Sequence, residues 1–332
     1  MQDPQNLPPE EAPPTLSKFT AFSQAIAKVQ AEMGKVLIGQ QDLMDQLMAA
    51  LLADGHVLIE GVPGVAKTMA AKLLAKSLDL KFSRIQFTPD LMSSDVLGTS
   101  VFNNQSGEFE FRQGPIFGQV VLIDEINRAP AKTQSALFEA MEERQITIDG
   151  ITYPLADPFF VIATQNPIEQ EGTYRLPEAQ LDRFLFKIQV GYPNLEEEIE
   201  ILERFQVRKN PRDLDDIQAV MMAEEILHYR EMVRHLKVES DLLKYVAQLV
   251  QATRQSQEIY LGASPRASLN LLLGAKALAA MQGRDFTTPD DIKALASAVL
   301  HHRSIITPER EMEGATPSEV VKRLVEGIEI PR

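Results

Sequence analysis

The sequence predicts an α/β fold, a central parallel sheet flanked by helices, followed by a smaller all-α domain. Three observations carry that prediction. The stretch His56–Thr68, HVLIEGVPGVAKT, is an apolar strand that empties into a glycine-rich loop closing on Lys-Thr. Further short apolar runs bounded by turn residues alternate with helical spacing, as strands buried on both faces do. After Pro193 the apolar spacing is helical to the end.

At 332 residues and 37.0 kDa the chain exceeds what one core usually fills, ~250–300 residues, so two domains are expected. Lys and Arg number 33 against 47 Asp and Glu, a formal net charge of −14 with pI ≈ 4.9. A surface that negative repels phosphate backbones unless its bases cluster, which disfavours nucleic acid as a partner. The absence of cysteine excludes disulfides, Cys-ligated zinc and thiol catalysis, and suits a cytoplasmic protein. No basic n-region precedes an apolar h-region, and the most apolar later stretch, Leu269 to Met281, is broken by Asn270 and Lys276. Neither secretion nor stable membrane insertion is expected. The histidines are scattered without metal-ligand spacing, and His301–His302 reads as a helix surface.

Residues 1–17 are Pro-rich, acidic and poor in apolar side chains, and are expected to form a disordered tail. Residues 18–192 should form the α/β domain. Apolar residues at helical spacing predict helices from Lys18 to about Glu32 and from Gln41 to Ala53, with Val36-Leu37-Ile38-Gly39-Gln40 extended between them. Strands are expected at His56–Glu60, Lys81–Phe87, Gln119–Asp124, Phe159–Thr164 and Leu185–Val190, with helices at Thr68–Leu78 and Ala131–Glu142. Two interruptions do not belong to a plain doubly wound domain. Thr99–Asn103 and Glu108–Arg112 flank the turn Asn104-Gln105-Ser106-Gly107 and predict one hairpin. In the second, Asp149-Gly150 signals a type I′ turn that pairs Ile148 with Ile151, Thr147 with Thr152 and Ile146 with Tyr153. Its apolar face either packs on the domain or has a working role. Residues 193–332 should form the helical domain, with helices at Leu195–Val207, Ala223–Leu236, Asp241–Gln255, Arg266–Met281 and Pro289–His301. The last has Thr288 as N-cap and Pro289 in its first turn.

The glycine-rich stretch carries the chemistry. Against G-x-x-x-x-G-K-[ST], Gly61, Lys67 and Thr68 fall in place, with Ala66 where a second glycine is usual. Gly61, Val62, Pro63, Gly64, Val65, Ala66, Lys67 and Thr68 then form a phosphate-binding loop, with Met69 opening the helix behind it. Backbone amides and the helix N-terminus bind the anion, so Ala66 serves if its N–H faces the phosphates. Gly61 and Gly64 are expected to supply close approach and any positive φ. Lys67 would reach the β/γ-phosphates and Thr68 would ligate Mg²⁺. Val120–Glu125 is an apolar strand ending in two carboxylates, Asp124 to hold Mg²⁺ and Glu125 to polarise an attacking water. That pair favours hydrolysis over phosphoryl transfer to a second substrate. Asn166, after the strand Phe159–Thr164, either contacts the γ-phosphate or belongs to an ordinary Asn-Pro turn. Arg183 and Arg266 are each a functional or a surface arginine on local grounds.

The motifs GVPGVAKT, VVLIDEINRAP, ATQNP, LPEAQLDRFLF and GASPRA, in this order and spacing, resemble those of the MoxR family of AAA+ ATPases. The resemblance covers nearly the whole chain after about Lys18, and Ala66 itself fits it; Arg175 stands where it leads one to expect proline. It implies an ATP- and Mg²⁺-dependent ATPase assembled as a homo-oligomeric, usually hexameric, ring with nucleotide between subunits. It implies that Ile38, Gly39 and Gln40 line the adenine, and that Asn166 is the first sensor. Arg266 would be the second sensor on the helical lid, and Arg183 the finger reaching a neighbour's γ-phosphate. The hairpins would be the helix-2 insert and the pre-sensor-1 hairpin shared with magnesium-chelatase motors. Gln86 is a candidate for restraining Glu125 until a substrate binds. The implied work is remodelling or maturing protein complexes, including metal or cofactor insertion, beside a von Willebrand factor A domain partner. The alternatives are a nucleic-acid motor, which the charge opposes, and a lone kinase or switch, which the Asp-Glu pair, hairpins and lid oppose.

Overall fold

The computed structural model describes residues 18–167, 174, 176–207 and 214–331. The expected tail and Arg175 lie outside them. Helices α1 (Lys18–Gly34) and α2 (Gln41–Leu52) precede strand β1 (Val57–Gly61), and α3 (Lys67–Ser77) leads to β2 (Phe82–Gln86). A short α4 (Ser93–Leu97) opens the first hairpin, β3 (Gly98–Asn103) and β4 (Glu108–Gln113). After β5 (Val120–Asp124) and α5 (Ala131–Glu143) comes the second hairpin, β6 (Gln145–Ile148) and β7 (Ile151–Pro154). Strand β8 (Phe160–Gln165), α6 (Glu178–Leu181) and β9 (Phe186–Val190) complete this part. The five long strands form one parallel sheet in the order β2-β5-β8-β1-β9.

Both faces of the sheet are covered, which explains the unbroken apolar runs. Val57 and Ile59 of β1 and Val120 and Leu122 of β5 point into a cluster shared with α1, α2 and α3. The alternate residues Leu58, Val121 and Ile123 point into a second cluster with Leu137 and Phe138 of α5. This period of two fixes the register of each strand. Each strand lies within a residue of its predicted bounds, because the pattern specifies the buried middle more firmly than the ends.

The helical part comprises α7 (Leu195–Val207), α8 (Ala223–His235), α9 (Ser240–Gln255), α10 (Pro265–Met281), α11 (Pro289–Leu300), α12 (Pro308–Met312) and α13 (Pro317–Glu326). Thr288 caps α11 as expected, its N–H donating to Asp291 Oδ2 at 2.8 Å. Leu271 and Ala275 of α10 and Leu249 of α9 enter the same apolar cluster as α1 and α2, and Phe22 stacks on Tyr229 at 4.2 Å. Two expectations are corrected. The region is not helical throughout: β10 (Ile259–Leu261) pairs antiparallel with β11 (Ile305–Ile306), a sheet too short to leave a periodic signal. His301 and His302 are buried in a 3-10 turn, not on a helix surface. That turn folds back onto the strand entry at Phe184, where His302 Nε2 lies 3.4 Å from the carbonyl.

Both hairpins form, with Thr99 opposite Arg112 in the first, and the second takes the predicted register, Ile148 opposite Ile151. Asp149 and Gly150 take φ of 52° and 78°, as a type I′ turn requires. The two are also joined: Ser100 Oγ donates to Asp149 Oδ2 at 2.6 Å, and Phe111 stacks on Tyr153 at 4.3 Å.

Candidate functional site

The order of strands brings the predicted residues together. β1 lies between β8 and β9, and β5 lies beyond β8, so the loop after β1, the Asn166 tip of β8 and the Asp124-Glu125 tip of β5 share the carboxyl edge of the sheet. Ligands of open α/β sheets bind at that edge. Lys67 begins α3 and turns its ammonium back toward the strand ends, donating to the carbonyls of Gly61 and, at 3.5 Å, Gln165. Asn166, next in chain, is buried.

The phosphate loop departs from expectation in how its small residues are used. Gly64 has φ of +90° and open space around it, so its conformation alone demands glycine. Gly61 does supply a close approach, but to a neighbouring strand: a Cβ there would stand 2.7 Å from the Val190 carbonyl of β9. Ala66 takes the left-handed conformation itself, φ 58° and ψ 18°, which costs an L-residue roughly 1–2 kcal/mol. The α3 N-terminus has no side-chain cap, leaving its first amides for an anion. Thr68 follows in the same turn.

Apart from Gln86, the residues that hold the two carboxylates were not singled out by sequence reasoning. Asp124 is buried and accepts from Arg84 Nε at 2.7 Å and from Thr164 Oγ1 at 3.1 Å. The same Thr164 oxygen accepts the Glu125 N–H at 3.1 Å, so one hydroxyl at the end of β8 sets the backbone of the pair. Glu125 sits at φ 58°, another non-glycine in the left-handed region. Its carboxylate accepts from Gln86 Nε2 at 2.9 Å and pairs with Arg128 Nε at 2.9 Å. Gln86 therefore meets the residue it was expected to restrain. A lone threonine ending an otherwise apolar strand was the available signal for Thr164; nothing local marked Arg84.

The donor set suits Mg²⁺. Asp124 and Thr68 offer hard oxygens, and no group of three or more acidic, histidine or cysteine side chains able to hold a metal occurs among the described residues. Mg²⁺ is commonly held by one or two protein oxygens together with phosphate and water. Gly39 and Gln40 line a cavity of about 430 Å³ with Val190, Gly191, Tyr192 and Glu197, and Val190 also faces Gly61. The cavity thus adjoins the phosphate loop where a base would lie; Ile38 is not among its lining residues.

Arg183 and Arg266 lie at the other end of the sheet. They share a cavity of about 400 Å³ with Gly55 and His56, which precede β1, and with Glu142. A five-residue strand spans roughly 17 Å, so both arginines stand well away from the phosphate loop of this chain. Instead both meet one carboxylate: Arg183 Nε is 2.9 Å from Glu142 Oε2 and Arg266 Nη1 is 3.5 Å from Oε1. The Arg183 guanidinium also lies over the Phe138 ring at 5.8 Å. His56 accepts the Val161 N–H at Nδ1, 3.0 Å away. Burial, reinforced by the Arg144 charge, pushes its pKa down to about 3, so the ring is neutral. Glu142 is the functional candidate that sequence reasoning missed, because its partners lie far along the chain.

Residues 56–186 match the ATPase family associated with various cellular activities, and residues 251–324 match the AAA lid domain. The chain is 41% identical to chaperone MoxR1 of Mycobacterium tuberculosis over 98% of its own length and 88% of that protein. It is 47% identical to YeaC of Bacillus subtilis over 92% of this chain and 95% of that one. A crystal structure of an ATPase candidate from Cytophaga hutchinsonii superposes with a TM-score of 0.86 at 42% identity, covering 95% of this chain and 97% of the other. With a phosphate loop, paired carboxylates and lid in the places that the sequence resemblance implied, the chain belongs to the MoxR family of AAA+ ATPases, and the reaction it carries out is hydrolysis of ATP.

Proposed function

We propose that the protein acts as one member of a closed homo-oligomeric, hexameric ring that couples Mg²⁺-dependent ATP hydrolysis to remodelling or maturation of a protein client. The observation that carries this reading is the separation of the site into two halves at opposite ends of one sheet. One end holds the phosphate loop and carboxylates; the other holds Arg183 and Arg266. A head-to-tail contact places one end of each subunit against the other end of the next, and closes into a ring when the rotation permits.

In this reading Lys67 and the loop amides bind the phosphates, and Gly39 and Gln40 border the base. Thr68 and Asp124 would hold Mg²⁺, which when bound would supply neutralisation of phosphate charge. Glu125 takes a proton from the attacking water once Gln86 and Arg128 release it, and Asn166 senses the γ-phosphate. The neighbour's Arg183 and Arg266 stabilise the developing charge. Helix α5 starts beside the Asp124-Glu125 tip and runs into the second hairpin, which is bonded to the first, so a shift at Glu125 moves both hairpins against a client. No helix among the described residues is long and apolar enough to cross a membrane. A cytoplasmic ring with a von Willebrand factor A domain partner fits these features, and the net charge of −14 favours protein over nucleic acid as client.

The test is mixing. Lys67→Ala subunits cannot hold ATP but keep Arg183; Arg183→Ala subunits hold ATP but lack the arginine. Each alone should be inactive, and mixed rings, verified by mass, should regain activity at interfaces where the first donates to the second. Mixed rings no faster than either parent would place Arg183 in its own subunit's chemistry or in structure. ATPase stimulation by DNA but not by a protein partner would instead favour the nucleic-acid motor.

A further inference from the structure

Arg303 lies outside every motif above, yet all five of its N–H groups are engaged. Nε donates to Asp182 Oδ1 at 2.7 Å, and Nη2 donates to the carbonyls of Asp182, at 2.9 Å, and of Phe184. Nη1 donates to the carbonyls of Leu185, at 3.3 Å, and Val299, at 2.6 Å. Its side chain is 1% exposed. Four of these acceptors belong to residues 182–185, the stretch that carries Arg183. The Asp182 carboxylate also accepts from Ser264 Oγ at 3.1 Å. Ser264 occupies the N-cap position of α10, but its hydroxyl makes no bond to the helix. It is used on Asp182, two residues before Arg266.

Burying an ion pair is a poor way to gain stability, since well-packed apolar side chains often serve as well or better. What a planar guanidinium adds is fixed direction at several acceptors at once. Burial lowers its pKa to about 10, which leaves it charged at neutral pH.

We propose that Arg303 is the positioning residue for the arginine half of the ATP site: through Asp182 and Ser264 it locks the Arg183 stretch and the start of α10 into one rigid mount. The inference rests on the reading that these arginines act on the neighbour's nucleotide. Arg303 touches no substrate. Its effect comes through geometry, where an error of about 1 Å can cost on the order of 10²-fold in rate.

Arg303→Lys keeps the charge and loses the fork. It should lower kcat by roughly 10- to 100-fold while the KM for ATP changes by less than about twofold, because its own phosphate loop is untouched. In mixed rings with Lys67→Ala subunits, whose arginine mount is intact, Arg303→Lys subunits should recover, as Arg183→Ala subunits do in the parallel mixture. A general folding defect would not be repaired by a neighbour. An unchanged kcat, or no recovery while the Arg183→Ala mixture recovers, overturns the proposal. Failure of the Arg183→Ala mixture itself overturns the trans reading and this proposal with it. If Arg303→Lys does not fold, Ser264→Ala decides, since it removes one hydroxyl and no helix cap. A lower kcat with unchanged KM and recovery on mixing supports the mount, and a wild-type rate overturns it.

Discussion

The two ends of the central sheet are braced differently. The carboxyl end is open: Arg84 is 48% exposed and Glu125 32%, and two non-glycine residues, Ala66 and Glu125, take positive φ. The amino end has a dry base beneath an exposed rim, on which Arg183 is 32% exposed and Arg266 and Glu142 each 41%. In that base His56 and Arg303 are buried, and Arg230, buried on α8, pairs with Asp54 at 2.7 Å and Asp157 at 2.9 Å. Positive φ does not separate the ends, since Asp54 and Arg144 beside His56 take φ of 58° and 54°; such residues persist where surrounding structure holds them. A dense network such as that around Arg303 suits a surface that must present one fixed geometry. In the proposed ring, the end that serves a neighbour carries its exposed arginines on a buried base.

The contrast is tested most severely by Arg183→Ala. An arginine supplied to a neighbouring phosphoryl group is worth ~10³–10⁵ in kcat, so the variant should bind ATP and scarcely hydrolyse it. A loss of nucleotide affinity instead would put Arg183 on the binding half. Glu125→Gln comes next, with turnover down ~10²–10⁴, the range for a removed general base, and nucleotide affinity near wild type. A variant retaining half the rate would remove Glu125 from the chemistry.

The dry base of the amino end should fail first in acid. Burial lowers the pKa of His56 to about 3 and of His301 to about 4, and that of His302 well below its ordinary value. The unfolded chain therefore takes up protons near pH 6.5 that the folded chain refuses. Stability is full above about pH 6.5 and falls on acidification toward about pH 4, with each such histidine adding a slope of about 1.4 kcal/mol per pH unit. Urea midpoints at successive pH values read this, and a flat profile would mean the rings are hydrated. The smallest effect belongs to Ala66→Gly. Relief of the left-handed alanine, roughly 1–2 kcal/mol, is offset by about 0.4–1 kcal/mol of unfolded-chain entropy. The net gain is at most a modest rise in Tm; a fall would show that the methyl is packed.

What the sequence revealed follows the range of the interactions. The β6–β7 register was legible to the residue, because a two-residue turn and alternating side chains are local facts. Each sheet strand was legible within a residue, and with it the placing of Asp124, Glu125 and Asn166 at strand tips. The braces were not. Arg84 meets Asp124 from 40 positions away and Arg303 meets Asp182 from 121, separations at which no spacing rule operates. The burial of His301 and His302 was missed for the same reason, since what covers them is a distant strand entry.

If a neighbour completes each site as proposed, the split between the two ends of one sheet also has a counting consequence. An open row of subunits joined head to tail always holds one fewer completed site than it has members, with a bare phosphate loop at one tip and an idle arginine pair at the other. Only closure makes the numbers equal. In that arrangement the rate per molecule climbs with the length of the row and levels off when it closes. Dilution should then silence the protein even in saturating ATP, and a single subunit with a damaged arginine end disables its neighbour's site while its own remains capable of work.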